Sequence, residues 1–222
     1  MTGRKSNMDC LPNPELQAIC TAALSQARDT LVGFEDISPL WTPCKSKNKD
    51  IVTAKMKSPS GLNIMRADCV IYAPLETVAA VVYAMEENTR WDPVLETTEQ
   101  IAFFPDCKVL RNTYWAPFPV TKRDFVLTLK LFREADCIID ASVSVETPLC
   151  PEVKGFVRGH LHYGGFILRA ISPMVTKAVH VVYADPKGKL PYFLVNMGQK
   201  KHYQYLEAVK KYLESLPEQL AL

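Results

Sequence analysis

Apolar residues recur at helical spacing at both ends of the chain and once near residue 75, and alternate with a period of two through most of the rest. Leu16, Ile19, Cys20, Ala23, Leu24, Ala27 and Leu31 predict a helix over 14–32, which Asn13-Pro14 opens with an N-cap and a first-turn proline. Residues 33–50, broken by Pro39, Pro43 and a charged tract, read as a connection anchored by Trp41. Residues 51–57 alternate, meet the turn cluster Ser58-Pro59-Ser60-Gly61, and resume as a strand over 62–72, a hairpin pattern. From Pro74, Leu75, Val78, Ala79, Val82, Tyr83 and Met85 suit a helix, and Asp92 reads as the cap of a short helix starting at Pro93. Residues 97–185 carry only strand signals, with turns expected at 105–106, 117–119, 134–136, 148–151 and 164–165. That predicts about six strands in succession, an antiparallel sheet without crossovers. Asp185-Pro186-Lys187-Gly188 is a turn, and 191–216 is the longest helical pattern. Leu194, Met197, Tyr205, Val209, Tyr212 and Leu216 mark one face of it, weakened in the middle by Gly198, since glycine costs roughly 1 kcal/mol against alanine.

The stretch 113–131 organises the rest. Phe125, Leu127, Leu129 and Leu131 form one wholly apolar strand face, as expected over a core or cavity, while Val126, Thr128, Lys130 and Phe132 form a mixed one. Before them, Pro117-Phe118-Pro119-Val120 cannot be a strand interior, because proline has no donor for the ladder. Phe118 and Val120 are therefore expected in a loop beside Lys122 and Arg123.

Composition narrows the function classes. The 222 residues are 48% hydrophobic and 23% charged with a net charge of +2, ordinary for a globular protein and unlike a nucleic-acid binder. The seven dispersed cysteines lack a Cys-x-x-Cys pair and read as reduced thiols of a cytoplasmic protein, with no cofactor or metal site expected. No signal-peptide core, membrane span or myristoylation signal is apparent. His160 and His162 alternate on one strand face with no third ligand nearby, and no Gly-x-Ser-x-Gly elbow occurs. Trp91 reads as a packed indole, and Arg123-Asp124 as a local ion pair at the loop exit. A curved antiparallel sheet with an apolar inner face and a long terminal amphipathic helix must pack helix on sheet, and strong curvature leaves room for a ligand between them.

Four motifs occur in a telling order: Arg90-Trp91-Asp92; Pro117-Phe118-Pro119-Val120 leading into Arg123-Asp124-Phe125-Val126; Gly155-Phe156-Val157-Arg158; and Asp185-Pro186-Lys187-Gly188-Lys189-Leu190-Pro191 with Val195-Asn196. Together they resemble the START domain, the StAR-related lipid-transfer family. The resemblance covers 14–216, leaving tails at 1–13 and 217–222. It implies an α+β helix-grip fold, a curved antiparallel sheet of about nine strands around the C-terminal helix. It also implies binding of one sterol, phospholipid or sphingolipid in a tunnel and transfer between membranes, by a monomer touching the membrane transiently. Under this resemblance Asn112, Tyr114, Leu127, Leu129, Arg158, His180, Leu194 and Met197 are candidates for the cavity. Phe118, Val120, Lys122, Arg123, Lys201 and Tyr205 are candidates for the gate, with Lys122 and Arg123 facing headgroups.

The chain also departs from its relatives. Where sterol carriers often keep an acid and an arginine it has Asn112 and Leu129, and where the phosphatidylcholine binder has an arginine it has Asn88. Two other readings follow from the same resemblance. One is a lipid sensor or adaptor that retains its ligand. The other is a helix-grip enzyme akin to the related cyclases, for which His180 and Asp124 are the nominees for acid–base work.

Overall fold

Asn13 Oδ1 accepts the amide of Leu16 at 2.9 Å and opens helix α1, Pro14–Val32, which buries Leu16, Cys20, Leu24, Ala27 and Leu31 along one stripe. The computed structural model describes residues 13–36, 38–92, 94–188, 190 and 192–216, and side chains throughout except over 192–203. The tails assigned from sequence, apart from Asn13, lie outside the described residues.

Among the described residues ten strands form a single sheet: β1 Thr42–Cys44, β2 Val52–Lys57, β3 Asn63–Ile71, β4 Leu95–Phe103, β5 Lys108–Tyr114, β6 Lys122–Arg133, β7 Cys137–Ser144, β8 Phe156–Arg158, β9 His160–Ser172 and β10 Val175–Asp185. Their order is β1-β2-β3-β10-β9-β7-β6-β5-β4, with β8 alongside β6. All pairs are antiparallel except β8, which runs parallel to the first residues of β6. Between β3 and β4 the chain passes from one side of the sheet to the far edge through helix α2, Leu75–Tyr83, and a 3₁₀ segment, Met85–Arg90. The last helix, α3, is Tyr192–Ser215.

Both faces of the sheet are covered. On the outer face, Val109, Val126, Ile139, Ile167 and Val179 pack with the buried stripe of α1. On the inner face, Ala67, Ile138, Phe166, Leu168 and Ala178 pack with Val78 and Val82 of α2 and with Leu206, Val209 and Leu213 of α3. This double cover explains why the mixed face of β6 is less polar than expected: Val126 and Thr128 lie beneath α1 and are buried. Arg66, also buried, anchors the connection after α1 by donating to the carbonyls of Phe34, Glu35 and Asp36 and pairing with Asp68 at 2.5 Å.

Several local expectations are corrected. Asp92 caps no helix: its Oδ1 accepts the amides of Val94 (2.9 Å) and Leu95 (3.3 Å), a turn that feeds β4, and the helical turn lies upstream at 85–90. Gly164-Gly165 is no turn but the middle of β9, whose turn to β10 comes at 173–174. Gly165 adopts φ 142°, and a Cβ there would stand 1.8 Å from the carbonyl oxygen of Asp140 on β7. Glycine is needed for that close approach of two strands. Arg123 and Asp124 do not pair with each other, as the site below shows.

Candidate functional site

The inner faces of β5, β6, β7, β9 and β10, the 3₁₀ segment and α3 enclose a cavity of about 450 Å³. Strand alternation puts Phe125 and Leu127 of β6 into its wall, and the register sets Asp140, Phe166 and His180 in one row across β7, β9 and β10. Tyr205 of α3 closes over that row. The His180 ring lies 4.4 Å from Phe166 and 4.9 Å from Tyr205, centroid to centroid. Trp91 backs Tyr205 at 5.4 Å and Tyr212 at 6.2 Å, the packed indole expected from sequence.

Few polar groups interrupt this lining, and they are deeply buried. Asn112 is 1% exposed; its Nδ2 faces Tyr114 Oη at 3.4 Å and Met85 Sδ at 3.7 Å, and its Oδ1 has no partner among the described residues. Asn88 and Asp140, each 2% exposed, likewise have an Oδ1 without a partner there. Burial pushes the Asp140 carboxyl from 3.8 up to about 7, with Lys108 opposing. Burial also pushes the Tyr114 phenol up to about 12 and that of Tyr205 well above its usual value. Ser142 is satisfied, donating to the Gly164 carbonyl at 3.0 Å.

At the mouth, Trp115, Pro117 and Val120 line the cavity from the loop between β5 and β6, while Pro186 and Leu190 line it from the turn before α3. Phe118 projects away from both, 97% exposed. Arg123 lines the mouth too, but not as a free cation: Nε donates to the Pro186 carbonyl (3.3 Å), Nη2 to that of Lys187 (3.3 Å), and Nη1 to that of Thr121. It is buried, and that burial lowers its pKa. Lys122 pairs with Glu96 at 2.7 Å.

Of the residues nominated from sequence, Asn112, Tyr114, Leu127, His180, Val120, Arg123 and Tyr205 meet at this cavity. Leu129 is fully buried but is not a wall residue. Arg158 is also absent from the wall, being held by Asp124 with Nε–Oδ1 and Nη2–Oδ2 both at 3.0 Å. Asp124 also accepts from Arg111 Nε at 2.8 Å, so the expected local pair with Arg123 gives way to a cross-strand cluster. Burial, the largest influence on Asp124, acts upward, yet the hydrogen bonds from Arg158 and Arg111 hold its carboxyl below the usual range. Asp124 and His180 are thus not brought together for acid–base work. The side chains of Leu194, Met197 and Lys201 lie outside the described residues.

Sequence reasoning missed Asp140, Met85 and Phe166, and it singled out Asn88 only as a departure from the phosphatidylcholine binder. The signal for Asp140 was a single acid inside the apolar run Cys137-Ile138-Ile139-Asp140-Ala141. Among the described residues no group of histidine, cysteine and acidic side chains is placed to hold a metal, and the six cysteines described are free.

The comparisons agree with this geometry. The START domain model matches residues 34–219. Human StAR-related lipid transfer protein 5 is 28% identical over 188 residues, covering 81% of this chain and 84% of that protein. START domain-containing protein 10 of mouse is 32% identical over 130 residues, 57% of this chain, which spans 44% of that protein's length. Among solved structures, human StAR-related lipid transfer protein 5 superposes with a TM-score of 0.81 at 23% identity over 89% of this chain and 98% of that one. Human STARD10 superposes at 0.78 and 20% identity over 98% of this chain and 85% of that one. With the grip of α3 on a curved antiparallel sheet and a family model spanning most of its length, the chain belongs to the START domain family.

Proposed function

We propose that this chain binds one lipid molecule in the cavity beneath α3 and carries it between membranes, acting as a monomer that touches the bilayer only transiently. The observation that carries this reading is the cavity itself: an apolar space of about 450 Å³, within the range of pockets that hold one small amphiphile, opening beside a loop with an exposed phenylalanine. Several relatives are named as lipid-transfer proteins, which supports the same reading. No helix among the described residues is long and apolar enough to cross a membrane. Phe118 would enter the headgroup boundary, the loop and the turn before α3 would part, and the lipid's apolar body would exchange bilayer for cavity at little hydrophobic cost.

The test mixes the protein with donor liposomes carrying fluorescent lipids and unlabelled acceptors. Acceleration of transfer for at least one lipid class is expected. No acceleration for any class, with lipid still retained by the protein, would point to sensing instead; neither binding nor transfer would overturn the reading.

A further inference from the structure

We propose that the lipid taken by this cavity ends in an uncharged hydrogen-bond donor, a hydroxyl or an amide N–H as in sterols and ceramides, and that Asn112 and Asp140 receive it. This rests on the lipid-binding reading above and names the class of ligand that the site selects.

The polar inventory of the wall is the basis. Asn88, Asn112 and Asp140 all line the cavity, each side chain is at least nine-tenths buried, and each has an acceptor oxygen without a partner among the described residues. An unmet buried acceptor is destabilising, so a ligand that donates to such oxygens is favoured over one that cannot. A phosphodiester offers only acceptors at its phosphate, and it would enter the same space as Asp92. It would also find no counter-ion in the described wall, because Arg123 is already directed at the carbonyls of Thr121, Pro186 and Lys187. Lys108 is not a wall residue, and both oxygens of Glu86 hold it, at 2.8 and 2.7 Å.

An amine headgroup is disfavoured for a different reason. Low-dielectric burial holds the Asp140 carboxyl toward its neutral form, so it suits hydrogen-bond exchange with an alcohol better than ion pairing. In the proposed pose the apolar body lies along Phe125, Leu127 and Phe166, with Tyr205 above it. A selective site of this kind discriminates strongly, because the wrong headgroup leaves the protein's own acceptors unpaired.

The experiment incubates the full chain with phosphatidylcholine vesicles doped in separate arms with labelled cholesterol, ceramide, diacylglycerol, phosphatidylserine or sphingosine, a further arm labelling the phosphatidylcholine. Lipid carried by the re-isolated protein is counted. We expect at least tenfold more label from one of the uncharged hydroxyl or amide lipids than from either phospholipid or the amine. Asn112→Leu and Asp140→Leu, checked for unaltered near-UV circular dichroism, are expected to lower that label at least fivefold. Preferential capture of a phospholipid or of sphingosine would overturn the proposal while leaving lipid binding intact. Unchanged capture by both well-folded variants would overturn it as well. Capture of no lipid at all would bring down the underlying reading and this one with it.

Discussion

Arg158 and Asp124 meet in a two-point contact, Nε to Oδ1 and Nη2 to Oδ2, each 3.0 Å long, across the parallel seam between β8 and β6. The seam is short, three residues on each side, so this fork is a principal bond between β8 and the sheet. Arg111 Nε approaches the same carboxylate at 2.8 Å from β5. Replacing Asp124 with alanine leaves two largely buried guanidiniums facing each other. We expect Asp124→Ala to lower stability by about 3–5 kcal/mol in urea unfolding, the range for breaking one partner out of a buried pair. Because the folded pKa of Asp124 is depressed, its contribution is present above the unfolded value near 3.8 and is lost as pH falls through the lower folded value. The variant should therefore lose the wild type's acid-limb decline in that window. A change below 1 kcal/mol would show the cluster to be ornamental.

Asp140 has the opposite sign. Its carboxyl titrates at about 7 folded against 3.8 for a free one, so the folded state binds the extra proton and stability falls as pH rises from about 4 to 7. The groups facing it are Lys108 from β5, Tyr83 from α2, Phe166 and His180 along its row, and Tyr205 from α3. That displacement corresponds to an upper bound of roughly 4 kcal/mol. Asp140→Asn should thus raise the melting temperature at pH 7.5, by an amount equivalent to about 1–3 kcal/mol, and flatten the slope between pH 5 and 7. Identical slopes for variant and wild type would overturn this.

Phe118→Ser separates membrane contact from folding. The side chain is 97% exposed and meets no core cluster, so stability should move by less than about 0.5 kcal/mol. Burial of a phenylalanine in the bilayer interface is worth roughly 2 kcal/mol, so vesicle association, measured by co-sedimentation, should fall about thirtyfold. A large drop in melting temperature would instead mark Phe118 as structural.

Gly165→Ala tests the pinch between β7 and β9. A Cβ placed 1.8 Å from the Asp140 carbonyl oxygen, on a backbone at φ 142°, forces the strands apart. Destabilisation of about 2–4 kcal/mol is expected, at the strained end of backbone effects. Because the shift begins at Asp140, lipid retention should fall in the fraction that remains folded, as gel filtration followed by lipid counting would show.

Most of the architecture was legible because both relevant periods are written in the chain. Pro14–Val32 and Tyr192–Ser215 follow helical spacing, and the strands from 95 to 185 alternate between turn residues. The loop at 117–120 was legible from its prolines and Leu127 from the apolar face of its strand, whereas Asn112 and Tyr114 were nominated only through the family resemblance. What could not be read is of another kind. Gly164-Gly165 carries the same letters as a turn, and only the approach of β7 distinguishes the two. Arg158 looked available to a ligand because its partner, Asp124, lies 34 residues earlier. Asp140 was visible as an acid in an apolar run, but its row-mates Phe166 and His180 come from strands far along the chain. Local pattern reports faces; register across the sheet decides which faces meet.

Among the described residues the sheet does not close into a barrel: β1 and β4 stand at its two ends. Open edges invite a strand from another molecule, and here each is unsuited to receive one. β1 is three residues long with Pro43 at its centre. β4 bears Glu96, Thr97, Thr98, Glu99 and Gln100, and its ladder to β5 is interrupted by irregularities at Leu95/Thr97 and Gln100/Ala102. Charge, polar side chains and broken ladders are the features that stop edge-to-edge growth. The sheet can therefore stay unclosed in crowded solution without seeding fibrils.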